Sequence, residues 1–284
     1  MSQAQVTVTG VNGEFFTVHG PGAGVEGVRL GPSPNEAFYH MPVKTLWTQS
    51  AYKPGAVANG VRFEPADLVL MFMVIPGPGQ TWESVESTFL RAFSFEEDCT
   101  IGVQTEQSGL RQLRVRLLEA PKMDPDFDPH VDGYSEVVLT LRAADPFWWG
   151  PVRSQRLVST TVDGSREVEL ANFGDREMWP VWQKDGSGSA RWTIPDTSTG
   201  GGNPRRITMP TELSAPDYVV DTDPHVEQVT SPGNPGAWAS MGVVRFVNPI
   251  PPGARFTAPV TYTGRSGNSH LTLLLRDRYS RPWG

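Results

Sequence analysis

Three aspartates at alternate positions, Asp124, Asp126 and Asp128 in "MDPDFDPHVDG", have the one-three-five spacing with which a calcium loop converges hard oxygen ligands on one cation. The pattern then fails. Pro129 stands where that loop needs the glycine of its sharp turn, and Ser135 stands where a bidentate glutamate is expected. Neither flank reads as a helix, so a solvated acidic loop between strands is the better reading. "DTDPH" at 221–225 sets two carboxylates and an imidazole within five residues, a donor set that could ligate a metal, although the same Asp and Pro spell a turn. Cys99 is the single cysteine. It can form neither an internal disulfide nor a Cys-rich zinc site, and it reads as a small buried hydrophobe.

The chemistry of turnover is missing at motif level. The five histidines, His19, His40, His130, His225 and His270, are scattered, and no G-x-S-x-G elbow or H-E-x-x-H pair occurs. No glycine-rich phosphate loop follows a strand, and "STGGGNP" reads as a flexible turn. No cofactor or metal is expected. Paired carboxylates for glycoside hydrolysis stay open at this stage, because their separation is spatial and not sequential. Trp179, Trp182, Trp192 and Trp238 offer another chemistry, stacking on sugar rings, with Trp192 and Trp238 as its candidates. Trp182 and Trp192 alternate with apolar neighbours, however, which points at least half of these rings into a core.

The elements that position these residues are mostly strands. The chain has 29 glycines and 26 prolines among 284 residues, with no collagen period, which favours turn-rich β structure. This length suits two ordinary domains. Residues 1–150 hold 10 basic and 18 acidic side chains, net −8, and residues 151–284 hold 14 and 13, net +1. An acid-rich first half repels phosphate backbones, so sequence-specific nucleic-acid binding is not expected, but it suits a passage through which nucleic acid slides without sticking. The longest apolar run, Leu68 to Ile75, is too short for a bilayer, so no membrane insertion is expected. "MSQAQVTVTG" lacks a basic and an apolar leader region, so synthesis and retention in the cytoplasm are expected.

Along the chain, "QVTVTGVNGEFFTVHG" predicts a hairpin closed by a type I′ turn at Asn12-Gly13. "VRFEP" and "LVLMFMVI" predict strands, the second apolar on both sides and therefore central. "TWESVESTFLRAFSF" predicts one helix, capped by Thr81, with Trp82, Val85, Phe89, Leu90 and Phe93 on a single core-facing stripe. "LRQLRVRLLEAP" and "SEVVLTLRAADPFWWGP" alternate with period two, leaving Arg114 and Arg116 on a solvated face. After Pro151 eight short strand patterns follow, "GVVRFVN" among them, as in a β-sandwich. Phe147, Trp148 and Trp149 are expected to close the first domain's core. Gly150 and Pro151 are expected to end strand pairing there and fix a hinge.

In this order, the N-terminal hairpin, the Trp82-led helix, the "RQLRVRLLEA" strand and "VVLTLRAADPFWWGP" resemble the distal tail protein family of long, non-contractile phage tails. Asp145-Pro146-Phe147-Trp148 is the most specific element. "LANFGDREMWPVWQ", with Asn172, Gly174 and Pro180, is similar to the family's second-domain opening, and "NPIPPGARFT", with Pro251, Pro252 and Gly253, to its late turn. The resemblance covers nearly the whole chain as loose patterns. It implies a mainly β protein: a split β-barrel-like N-terminal domain with one α-helix, residues 1–152, and a galectin-like β-sandwich, residues 153–284. It implies a non-enzymatic virion protein made in the host cytoplasm. Its copies would form a hexameric ring at the tail tip that joins the tail tube protein to other tip or baseplate proteins and lines the DNA-ejection channel. A carbohydrate-binding module for host glycans is the alternative. The "KMDPDFDPHVDGYS" loop and the "RDRYSRPWG" terminus depart from the family's pattern.

Overall fold

The computed structural model of the chain describes all residues except 1–3, 33–35, 53, 124–127 and 197–204, and only the backbone of residues 36 and 37. The protein is mainly β. Two compact units divide it, Met1–Trp149 with Tyr279–Gly284, and Gly150–Arg278. No helix among the described residues is long and apolar enough to cross a membrane.

The first unit contains β1 (Gln5–Thr9), β2 (Phe15–His19), β3 (Val28–Leu30), α1 (Glu36–Tyr39), β4 (Val43–Gln49), β5 (Ala56–Phe63), β6 (Ala66–Val74), α2 (Trp82–Arg91), β7 (Cys99–Thr105), β8 (Gly109–Leu117), β9 (Lys122–Met123), α3 (Pro129–Asp132), β10 (Ser135–Ala143) and the start of β11 (Trp148–Val158). Its strands are antiparallel in the order β2-β1-β7-β8, and β8 passes on to β10, β6 and β3. β6 and β10 pair over their full length, Ala66 opposite Ala143 and Val74 opposite Ser135. β6 is central, as its apolar run predicts, yet it is covered on one face only: Leu68, Leu70, Phe72 and Val74 are buried, whereas Val69 is exposed and Met71 and Met73 half-buried. The β1–β2 connection also differs from expectation. Gly13 alone takes a positive φ, 88°, and Gly10 N–H bonds the Glu14 carbonyl, so a five-residue loop replaces the type I′ turn, which needs two such residues.

The helix follows its stripe. Thr81 Oγ1 accepts from Ser84 N–H at 3.3 Å, and Val85 and Phe89 are buried. Phe89 meets Phe16 of β2 edge-on at 5.2 Å, Phe72 of β6 at 5.0 Å and Phe93 at 5.1 Å. Edge-to-face rings at this spacing add to the burial of their area. Trp82 stands at the rim, half-buried, donating from Nε1 to Ser135 Oγ at 2.8 Å.

The second unit continues β11 and adds β12 (Gly164–Ala171), β13 (Val181–Asp185), β14 (Ser189–Asp196), β15 (Arg205–Thr208), β16 (Tyr218–Asp221), β17 (Val229–Thr230), α4 (Ala237–Ser240), β18 (Arg255–Ser266) and β19 (His270–Tyr279). β12-β18-β14-β15 form one antiparallel sheet and β17-β16-β13-β19 the other. Trp182, Trp192, Val260 and Leu273, all fully buried, share one core, which makes this unit a β-sandwich. "GVVRFVN" is no strand. Its backbone is satisfied by side chains instead: Gln228 exchanges two hydrogen bonds with Phe246, and the buried Asp196 carboxylate accepts from the N–H groups of Val247 and Asn248.

Replacing Phe89 with alanine should destabilise the protein by about 3–5 kcal/mol, the range for emptying a packed aromatic site. Denaturant unfolding followed by far-UV circular dichroism would measure it.

Candidate functional site

One element stands outside both cores. β4 and β5 pair only with each other, Val43 opposite Phe63 and Gln49 opposite Ala56, and every described residue of the two strands is exposed except the half-buried Phe63. The register slips between Leu46 and Trp47, a bulge that adds twist to a two-stranded ribbon. Gly60, with φ 145°, lies opposite Leu46 at the slip, a backbone state open to glycine. The ribbon displays Val43, Leu46, Trp47, Val57 and Val61 to solvent, with Tyr52 in the connection. Apart from its own ladder, its internal contacts are small: Trp47 Nε1 donates to Thr45 Oγ1 at 2.9 Å, and Asn59 Nδ2 bonds Thr48 Oγ1. A lone hairpin in water is marginal at best, and exposed apolar side chains grouped in this way are the common signature of an interaction surface. Of this hairpin, sequence reading identified only the "VRFEP" end.

A cavity of about 390 Å³ opens elsewhere in the first unit, lined by Val6, His19, Leu30, Phe38, Tyr39, Leu70 and Trp283 among others. It is an apolar recess without paired carboxylates. Beside it the terminal segment is tied down. The buried Arg111 donates from Nη1 to the Arg281 carbonyl at 2.8 Å and from Nη2 to the Gly284 carbonyl at 2.7 Å, and its guanidinium lies 3.7 Å over the Tyr279 ring. Trp283 meets Tyr39 edge-on at 5.4 Å. Of the arginine row on β8, Arg114 is exposed and Arg116 pairs with Asp98 at 2.7 Å; Arg111, the clamp, lies on the other face of the strand, in phase with the buried Leu113 and Val115.

The residues singled out for chemistry are distributed as follows. Asp124 and Asp126 lie outside the described residues; Asp128 caps α3, accepting from His130 N–H at 3.0 Å. In "DTDPH", Asp221 accepts from the Asp223 N–H, and Asp223 accepts from the His225 N–H and meets its Nδ1 at 2.7 Å, so the three side chains brace a turn. Among the described residues no cluster of three or more His, Cys, Asp or Glu is placed to hold a metal ion. Trp192 is a correction to the sugar-platform reading. It is fully buried, with Nε1 bonded to Ser269 Oγ at 3.2 Å, and has no face to offer a ring. Trp238 is half-buried against the sandwich core, and the Arg245 guanidinium covers its ring at 4.0 Å.

Trp148 is buried in the first core, meeting Phe38 at 5.5 Å, while Phe147 meets Phe63 at 5.2 Å. Trp149, half-buried, pairs with Gln112. The expected end of pairing at Gly150-Pro151 is not found: β11 runs through both residues to Val158. A strand tolerates proline where no N–H is needed for the ladder; Pro151 is exposed, and the Gly150 carbonyl accepts from Arg276 Nε at 3.0 Å. Asn172, Gly174 and Gly253 form a built corner. Asn172 Nδ2 donates to the carbonyls of Arg176 and Ile250, its Oδ1 accepts from Gly174 N–H, and its carbonyl accepts from Gly253 N–H. A Cβ at Gly174 would run into the Arg278 carbonyl.

The fold is that of a phage tail hub. The solved Dit protein of phage SPP1, described as a hub adsorption apparatus in phages infecting Gram-positive bacteria, superposes with a TM-score of 0.54 at 12% identity, over 97% of this chain and 99% of that one. A chain of the phage P2 baseplate in its activated, calcium-bound conformation gives 0.57 at 12% identity, over 97% and 98%. The chain is a homologue of the minor tail proteins Gp27 of mycobacteriophages L5 and D29, 28% and 27% identical over 98% of each chain. No protein-family model matches it.

Two outcomes are expected. Asn172→Ala strands several buried polar groups and should cost about 2–4 kcal/mol in chemical denaturation. Burial pushes the Cys99 thiol up to about 12, so at pH 8 the native protein should react with a thiol reagent far more slowly than protein unfolded in guanidinium.

Proposed function

We propose that the chain is a structural, non-catalytic component of a phage tail tip, with copies closing into a six-fold ring that joins the tail tube to the baseplate. The first unit forms the belt of that ring and lines the channel through which DNA leaves. The observation that carries this reading is the breadth of the likeness: a single hub protein matches both units over nearly the full length of both chains. The full-length homology to minor tail proteins supports it from sequence. Charge supports the channel. The net −8 of residues 1–150 repels a passing phosphate backbone, so DNA slides without adhering.

In this reading the aromatic triplet at 147–149 is structural, and Gly150-Pro151 mark the joint between belt and outer sandwich. The partners are further copies of the chain, the tail tube protein and other tip proteins.

Native mass spectrometry of the purified protein, or electron microscopy of virions, should show particles six times the 31.1 kDa chain mass. A monomer both in solution and in virions would overturn the proposal.

A further inference from the structure

Two Asn-Gly dipeptides occur in the chain, Asn12-Gly13 and Asn59-Gly60. Such a pair is a reactive setting for an asparagine side chain, because glycine puts no Cβ in the way when its backbone nitrogen turns on the neighbouring carboxamide. Both asparagines are exposed, and the fold treats them differently.

Asn12 is locked. Its backbone N–H and its Nδ2 donate to the two carboxylate oxygens of Glu14, each at 3.1 Å, and the Gly13 N–H donates to the Gly10 carbonyl at 3.1 Å. The nitrogen that would attack and the carboxamide that would be attacked are both held, and these bonds must break before the two can meet. Asn59 is the extra residue of the bulge in the β4–β5 ribbon. Gly60 faces Leu46 and Ala58 faces Trp47, which leaves Asn59 with no residue opposite it. Its carboxamide reaches the Thr48 hydroxyl across the ribbon. Gly60, at φ 145°, has no atom within 4 Å of where a Cβ would stand, so the space beside it is open. The ribbon is exposed along both strands, and a segment that buries so little opens locally at small cost.

We propose that Asn59 is a site of spontaneous modification, deamidation through a cyclic imide formed with Gly60. The Gly60 nitrogen bonds to Asn59 Cγ and gives up its proton; the Cγ–Nδ2 bond breaks, and the side-chain nitrogen takes that proton and leaves as ammonia. Water then adds to either carbonyl of the imide and opens it, to aspartate or to isoaspartate. Among the described residues the ribbon's charges are Lys44 and Arg62, with Glu64 beside Arg62 at 3.1 Å. Either product adds a carboxylate to them, and isoaspartate also adds a backbone carbon at the slip.

The test incubates the full chain at pH 8 and follows both dipeptides by peptide mass spectrometry, with isoaspartyl methyltransferase as the probe for isoaspartate. In the native protein Asn59 should convert severalfold faster than Asn12. In guanidinium the two should convert at similar rates, since only the fold separates them. Asn59→Gln should remove the product at that position and leave the conversion of Asn12 unchanged. Native conversion at Asn12 as fast as at Asn59 would overturn the proposal, and so would an Asn59 that stays intact in the native protein over the time in which it converts in guanidinium.

Discussion

Phe89 is the residue on which the first unit closes. It reaches from one face of a ten-residue helix into rings from β2, from β6 and from its own C-terminal turn. β2 and β6 belong to different ends of the strand order, so a single side chain ties the two arms of the sheet to each other. Everything else in the unit takes its place from that closure. β6 presents alternate residues to this core and pairs along its whole length with β10, and β10 leads to Trp148, the member of the aromatic triplet that lies in the core.

The buried arrangement was largely legible in the sequence because periodicity reports burial directly. A helix stripe from Trp82 to Phe93 and alternating strands at 113–117 and 135–143 can satisfy their apolar side chains in only one way. Pattern failed where side chains replaced backbone partners. The segment Gly242–Asn248 has a strand's composition, yet Gln228 and Asp196 bond its backbone and no neighbouring strand does, and nothing local announces partners 18 or 51 residues away. Local rules also misjudged Gly150-Pro151, where the surroundings keep a strand going through residues that by themselves favour a break.

The exposed hairpin was the least visible feature, for a physical reason. Its strands bury neither face within one chain, so they carry no clean alternation, and Gly60 and the slip at Trp47 blur what remains. Sequence rules built on a single buried face have no signal to read in a ribbon that is exposed on both. The tryptophans show the converse. Trp192 was weighed as a ligand platform and is sealed in the sandwich, since an aromatic in a strand gives the same pattern whether its outer layer is solvent or the opposite sheet.

Arg111 holds residues that lie about 170 positions downstream, Arg281 and Gly284, against the first unit. During vectorial synthesis on the ribosome, β8 emerges long before those carbonyls exist, and its guanidinium must wait for the entire sandwich to be translated. The first unit of this protein is begun early and closes on Arg281 and Gly284 only after the sandwich that separates its two parts in the chain has been made.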